Sequence, residues 1–116
     1  MSDSRELAFS FAKLLVEHKA EDVQVLDLGD LAGWTDFFVL ATSTSSVHLR
    51  GLARHVDEFA AQMKLESLNK PNPAEDETWI LHDFGDFVVH IMERDARAFY
   101  ELEKLWHKAR SVTKLV

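Results

Sequence analysis

The chain has 116 residues, 47% of them hydrophobic, with only four glycines and two prolines, which is the size of one domain and the composition of a chain that should fold rather than stay disordered. Twenty acidic residues against 13 lysines and arginines leave a net charge of −7, which argues against gripping nucleic acid mainly by its phosphates and favours a basic protein surface as partner. Cysteine is absent, so disulfides, thiolate catalysis and zinc–sulfur sites are excluded.

The first residues hold no basic segment followed by an apolar core, and no apolar run approaches membrane-spanning length. A soluble, cytoplasmic, single-domain protein over residues 1–116 is expected. Asp3 or Ser4 can cap a first helix, along which Leu7, Ala8, Phe11, Leu14, Leu15 and His18 repeat at helical spacing to about Lys19. Such a one-sided helix packs on a sheet. Asp22–Leu28 alternates as a strand does, and Gly29–Gly33 supplies the turn that ends it. Asp36–Thr42 is apolar almost throughout, which predicts a central strand covered on both faces.

The polar loop Thr42–Ser46 leads into a second helix with Leu49, Leu52, Ala53, Val56, Phe59, Ala60 and Met63 on one face, and Ser45 or Ser46 is its expected N-cap. A helix N-terminus after a strand suits an anion. This loop, however, has no glycine and no Lys-Ser/Thr pair, so capping is the preferred reading. Leu65–Asn69 is expected as a short strand, Lys70-Pro-Asn-Pro73 excludes a helix interior, and the acidic 74–77 is expected as a solvated loop.

Two apolar runs then flank Phe84-Gly85-Asp86-Phe87, where glycine opening a two-residue turn predicts a β-hairpin of type II′. In that register Ile80, His82, Phe84, Phe87, Val89 and Ile91 share one face, while Trp79, Leu81, Asp83, Val88, His90 and Met92 share the other. His90 is either a hydrogen-bonded core histidine or a group presented to a ligand. His82-Asp83 resembles the dipeptide of metal-dependent phosphohydrolases, but the further ligands such a site needs are not found, so neither metal nor cofactor is expected.

Asp95 is the expected N-cap of a last helix packed through Ala98, Phe99, Leu102, Leu105 and Trp106. Tyr100, Glu103 and His107 fall on another side, a composition suited to a protein contact. Arg97 and Glu101 are spaced to form an exposed pair. Together these elements predict an α/β single domain: a mixed β-sheet of about five strands covered by helices.

Three ordered motifs resemble one family: Thr35–Ser46 with His48; Trp79 with Asp83, Gly85, Asp86, Val89 and His90; and Arg97 with Tyr100, Leu102, Glu103, Leu105 and Trp106. Over nearly the whole chain they look like the signature of the ribosomal silencing factors, also called Iojap-like. The resemblance implies a nucleotidyltransferase-like fold without enzymatic activity. It further implies binding to the large ribosomal subunit at its fourteenth ribosomal protein, a steric block on joining of the small subunit, and lowered translation when nutrients are short; homodimers occur in the family. On that reading Trp79, Asp83, His90, Arg97, Tyr100, Glu103 and Trp106 are the candidates for the interface or its support, with Trp79 and Tyr100 foremost because large aromatics dominate binding energetics. The chain departs from the family pattern at Asn72-Pro73, where Glu-Gly is common, and at Ser43 and Val47, where Gly and Arg are common.

Two other classes compete with this reading. A nucleotidyltransferase would need a Gly-Ser loop and paired carboxylates for magnesium; Asp27/Asp30 and Asp83/Asp86 are the available pairs, and no Gly-Ser accompanies them. A homodimeric interaction module with another protein target is the remaining alternative.

Overall fold

The computed structural model describes residues 4–29, 33, 35–69, 77–100 and 111–115, with backbone alone at 98–100 and 111–112. Helix α1 spans Ser4–Glu17 and buries Ala8, Phe11, Ala12 and Leu15. Helix α2 spans Ser46–Gln62 and buries Leu49, Leu52, Ala53, Val56 and Ala60, while Met63 falls at its C-cap and is exposed. Ser45 is the N-cap, as its position after a polar strand end predicts: its extended backbone lets Oγ accept the His48 N–H at 3.0 Å.

Both helices end in the same way, and without glycine. Lys19 and Lys64 stand in the left-handed region at φ 71° and 58°. After α1 the Lys19 N–H donates to Val16 O and the Ala20 N–H to Leu15 O; after α2 the Lys64 N–H donates to Ala61 O and the Leu65 N–H to Ala60 O. These are Schellman closures, which satisfy carbonyls the helix leaves unpaired.

Strands β1 (Glu21–Asp27), β2 (Phe37–Ser43), β3 (Trp79–Asp83), β4 (Phe87–Glu93) and β5 (Ser111–Lys114) form one sheet in the order β3-β4-β2-β1-β5. Among the described residues the central β2–β4 pair is parallel and the other pairs are antiparallel. A bulge between Glu21 and Gln24 bends β1 away from β2, with Asp22 at a positive φ of 47°. As its apolar run predicts, β2 is buried nearly throughout.

The hairpin register is the one expected: Trp79 faces Met92, Leu81 faces His90 and Asp83 faces Val88. Gly85 takes φ 88° in the two-residue loop, a conformation that suits glycine. Two expectations are corrected. Leu65–Asn69 is not a strand but a bent segment against the edge of β3, and the fifth strand is β5, paired with β1. Helix α3 spans Arg94–Tyr100 and begins directly after β4, so Asp95 lies inside its first turn rather than at the N-cap.

Helices α1 and α2 cover one sheet face. Phe11 sits at the centre of that layer, its ring 4.8 Å from Phe59, 5.2 Å from Phe84 and 5.4 Å from Phe87, centroid to centroid. Ile80, Val89 and Ile91 complete the layer from the hairpin side. The opposite face carries a smaller apolar cluster of Leu26, Leu28, Leu40 and Met92, with Phe38 and Trp79 half-buried beside it. Helix α3 packs against β2 and β4.

A candidate interface on the second sheet face

The strand period sends Trp79, Leu81, Asp83, Phe38, Val88 and His90 to this second face. Trp79 is half-buried on edge strand β3, and its indole N–H donates to Nδ1 of His90 on β4 at 3.1 Å. Accepting there, His90 must be neutral with its proton on Nε2. Burial pushes its pKa down to about 4, and Nε2 has no hydrogen-bond partner among the described residues. Phe38 meets the imidazole edge-on at 4.5 Å. The result is a row of three rings, Trp79, His90 and Phe38, in which the buried imidazole holds two half-exposed aromatics in place.

Asp83 closes the same face at the hairpin end. Its Oδ1 accepts the Gly85 N–H at 2.8 Å, so the carboxylate shapes the turn that aligns the row. Arg97, expected as an exposed partner of Glu101, is instead buried: its guanidinium donates to Asp22 O at 2.8 Å and to Thr42 Oγ1 at 2.7 Å. It ties α3 to the β1 bulge and to β2. Glu101 lies outside the described residues, as do Glu103, Trp106 and the side chain of Tyr100. Of the seven candidates, then, the structure brings Trp79 and His90 into direct contact and puts Asp83 on the same face.

The other readings of polar groups resolve by geometry. In the Thr42–Ser46 loop the Thr44 N–H donates to His48 Nδ1 at 3.0 Å, and the His48 N–H is taken by Ser45, which is capping rather than an anion cradle. His48 therefore carries its proton on Nε2, which donates to the His18 carbonyl at 2.9 Å and joins α2 to the end of α1. His82 and Asp83 point to opposite faces. His82 is buried under α2 with Nε2 3.0 Å from Asp57 Oδ1, and burial lowers its pKa even against the pull of that carboxylate. Among the described residues no three metal-ligating groups converge. Asp27, like Asp83, spends a carboxylate oxygen on its own turn, accepting the Gly29 N–H at 3.0 Å; Asp30 lies outside the described residues. The His82–Asp57 pair was not expected, because nothing in sequence spacing links a strand residue to a helix residue 25 positions earlier.

At the positions that depart from the family pattern, Ser43 is fully buried with Oγ unpartnered among the described residues, and Val47 is 71% exposed on the first turn of α2. Asn72-Pro73 lies outside the described residues.

The model of the family described as ribosomal silencing factor during starvation matches residues 1–115. The chain belongs to the ribosomal silencing factor family. It is 41% identical over 100 residues to the ribosomal silencing factor RsfS of Treponema pallidum, with 85% of this chain and 88% of that protein covered. It is 36% identical over 108 residues to the chloroplastic protein Iojap of Zea mays, covering 90% of this chain but only 45% of that longer protein. Among solved structures, a Bacillus halodurans crystal structure matches with a TM-score of 0.79 at 30% identity, covering 96% of this chain and 99% of that one. A Chromobacterium violaceum crystal structure matches at TM-score 0.84 and 25% identity, covering 99% and 94%. A five-stranded mixed sheet with helices is thus the architecture of this ribosomal silencing factor. Among the described residues no helix is long and apolar enough to cross a membrane.

Proposed function

We propose that this protein acts in the cytoplasm as a non-enzymatic repressor of translation, binding the large ribosomal subunit at its fourteenth ribosomal protein and keeping the small subunit from joining. Membership of the silencing-factor family supports the ribosome as partner. The observation that carries the choice of surface is the Trp79–His90–Phe38 row: two half-exposed aromatics on rigid strands, pre-ordered by a buried hydrogen bond. Rigid aromatic anchors supply contact area at little entropic cost, and such residues dominate interfaces. The net charge of −7 suits a basic ribosomal protein and discourages binding to the surrounding RNA.

The block itself needs no chemistry. A folded body with extents of 34 × 33 × 24 Å at the subunit interface excludes the other subunit by bulk. Tyr100, Glu103 and Trp106 of the third motif are proposed to extend the contact, while Asp83 and Arg97 support it from the turn and the bulge. In the free protein the same aromatic row would be the surface covered in a homodimer. Sedimentation of purified subunits with the wild-type protein and with Trp79→Ala tests the proposal: co-migration with the large subunit and reduced joining are expected for the wild type, both weakened by the substitution.

A further inference from the structure

Three of the six histidines meet where the end of α1 touches α2, on the helical side of the sheet. His18 and His55 stack ring on ring, centroids 3.6 Å apart and planes 14° from parallel. His48, about two turns before His55, accepts the Thr44 N–H on Nδ1 at 3.0 Å and donates from Nε2 to the His18 carbonyl at 2.9 Å. Between them on the same strip of α2 lies Gly51, where an added Cβ would meet nothing within 4 Å. Imidazoles, not packing, span this part of the joint.

Each contact tolerates few protons. His48 accepts from Thr44 only while Nδ1 is bare; protonated there, it turns an N–H toward an N–H, and only the Thr44 hydroxyl at 3.2 Å is left to receive it. The stack has room for one positive charge, because Glu58 Oε2 lies 3.9 Å from His55 Nδ1 and His18 follows Glu17 and the carbonyl end of α1. A second charge would sit ring against ring, with Lys19 next to His18 and Arg50 and Arg54 on the same stretch of α2 adding to the repulsion. On β1, Glu21 is already paired with Arg94, and Asp22 is exposed. The connecting segment is strained as well: Lys19 and Asp22 hold left-handed backbone, at φ 71° and 47°, without glycine. Asp22 O also accepts from the Arg97 guanidinium at 2.8 Å, so the anchor of α3 hangs on the same segment.

We propose that this joint is a pH-sensitive latch: with at most one proton on the stack and His48 neutral it holds the end of α1 on α2, and further protonation releases that end while the sheet stays folded. The latch is a property of the free protein and does not depend on what the protein binds. Imidazole is the side-chain type that changes charge between about pH 8 and about pH 5, which sets the range to scan.

Amide hydrogen exchange of the full chain, followed by NMR at about pH 7.5 and about pH 5.5 and corrected for the intrinsic pH dependence of exchange, tests this. The Lys19, Ala20 and Thr44 N–H groups, bonded to Val16 O, Leu15 O and His48 Nδ1, report the joint, and the β4 amides report opening of the whole fold. The joint should lose at least about tenfold in protection at the lower pH beyond any loss in β4. His55→Phe keeps a ring against His18 but takes no proton, and His48→Gln keeps an acceptor and a donor; each should remove part of the loss, and the two together most of it. Wild-type joint amides as protected at the lower pH as at the higher would overturn the proposal. So would a loss that persists undiminished in both single variants.

Discussion

Two buried residues expose the energetics most directly. Ser43 keeps a hydroxyl in the core with no partner among the described residues, at the end of the buried strand β2. Burying such a group without a bond costs roughly 1–3 kcal/mol. Ser43→Ala should therefore stabilise the fold by about 1 kcal/mol in urea unfolding, with the m-value unchanged. His90 makes a pH-dependent contribution of known sign. Its folded pKa of about 4 lies below the unfolded value of 6.5, so between these the unfolded chain binds more protons and stability falls with falling pH. Stability should be full above about pH 6.5 and should have lost about 3 kcal/mol by about pH 4, with the lowered pKa of His82 acting in the same direction. Unfolding titrations between these limits measure the slope; His90→Asn, whose amide oxygen can still accept from Trp79, should flatten it. A hydrogen-bonded core histidine is one of the two readings the sequence offers for His90, and it is the one found; its neutrality, however, depends on Trp79 lying across the strand and Phe38 on the next one, which residue order does not reveal.

At the scale of elements, the hairpin shows what local chemistry settles. Glycine at the first loop position sets a two-residue turn, and the turn sets every cross-strand pair from Asp83–Val88 to Trp79–Met92. The segment Leu65–Asn69 shows the opposite. Its two leucines are three residues apart, not alternate, and it meets β3 through one backbone bond, from the Leu68 N–H to Asp83 O, and the Asn69 side-chain amide rather than through a ladder. Strand β5 went unread for a related reason: four residues of no marked alternation take their structure from pairing with β1, more than 80 residues earlier. The helix ends also lacked a signal, because lysine fills the left-handed position that glycine usually marks. Lys19→Gly and Lys64→Gly should each raise stability by about 0.5–1 kcal/mol, strain relief outweighing the extra freedom of glycine in the unfolded chain. A thermal scan detects this; a lowered midpoint would show that the lysine charge at the helix end matters more than backbone strain.

For the whole molecule, the two sheet faces divide the work. Helices α1 and α2 cover one face with a dense aromatic layer, while the other keeps a smaller cluster and a half-exposed row of rings. The α/β class, the central position of β2 and the split between the two hairpin faces all follow from hydrophobic period, so that much of the site was legible in residue order. Which ring orders which required the fold. The account turns on that row as the contact with the ribosome, and sedimentation of purified ribosomal subunits tests it most directly. Wild-type protein should co-migrate with the large subunit and reduce the joined-ribosome peak, and Trp79→Ala, still folded, should bind at least about tenfold more weakly. Wild-type protein that leaves subunit joining unchanged and stays at the top of the gradient would contradict the account, as would a Trp79→Ala protein that binds as tightly as the wild type.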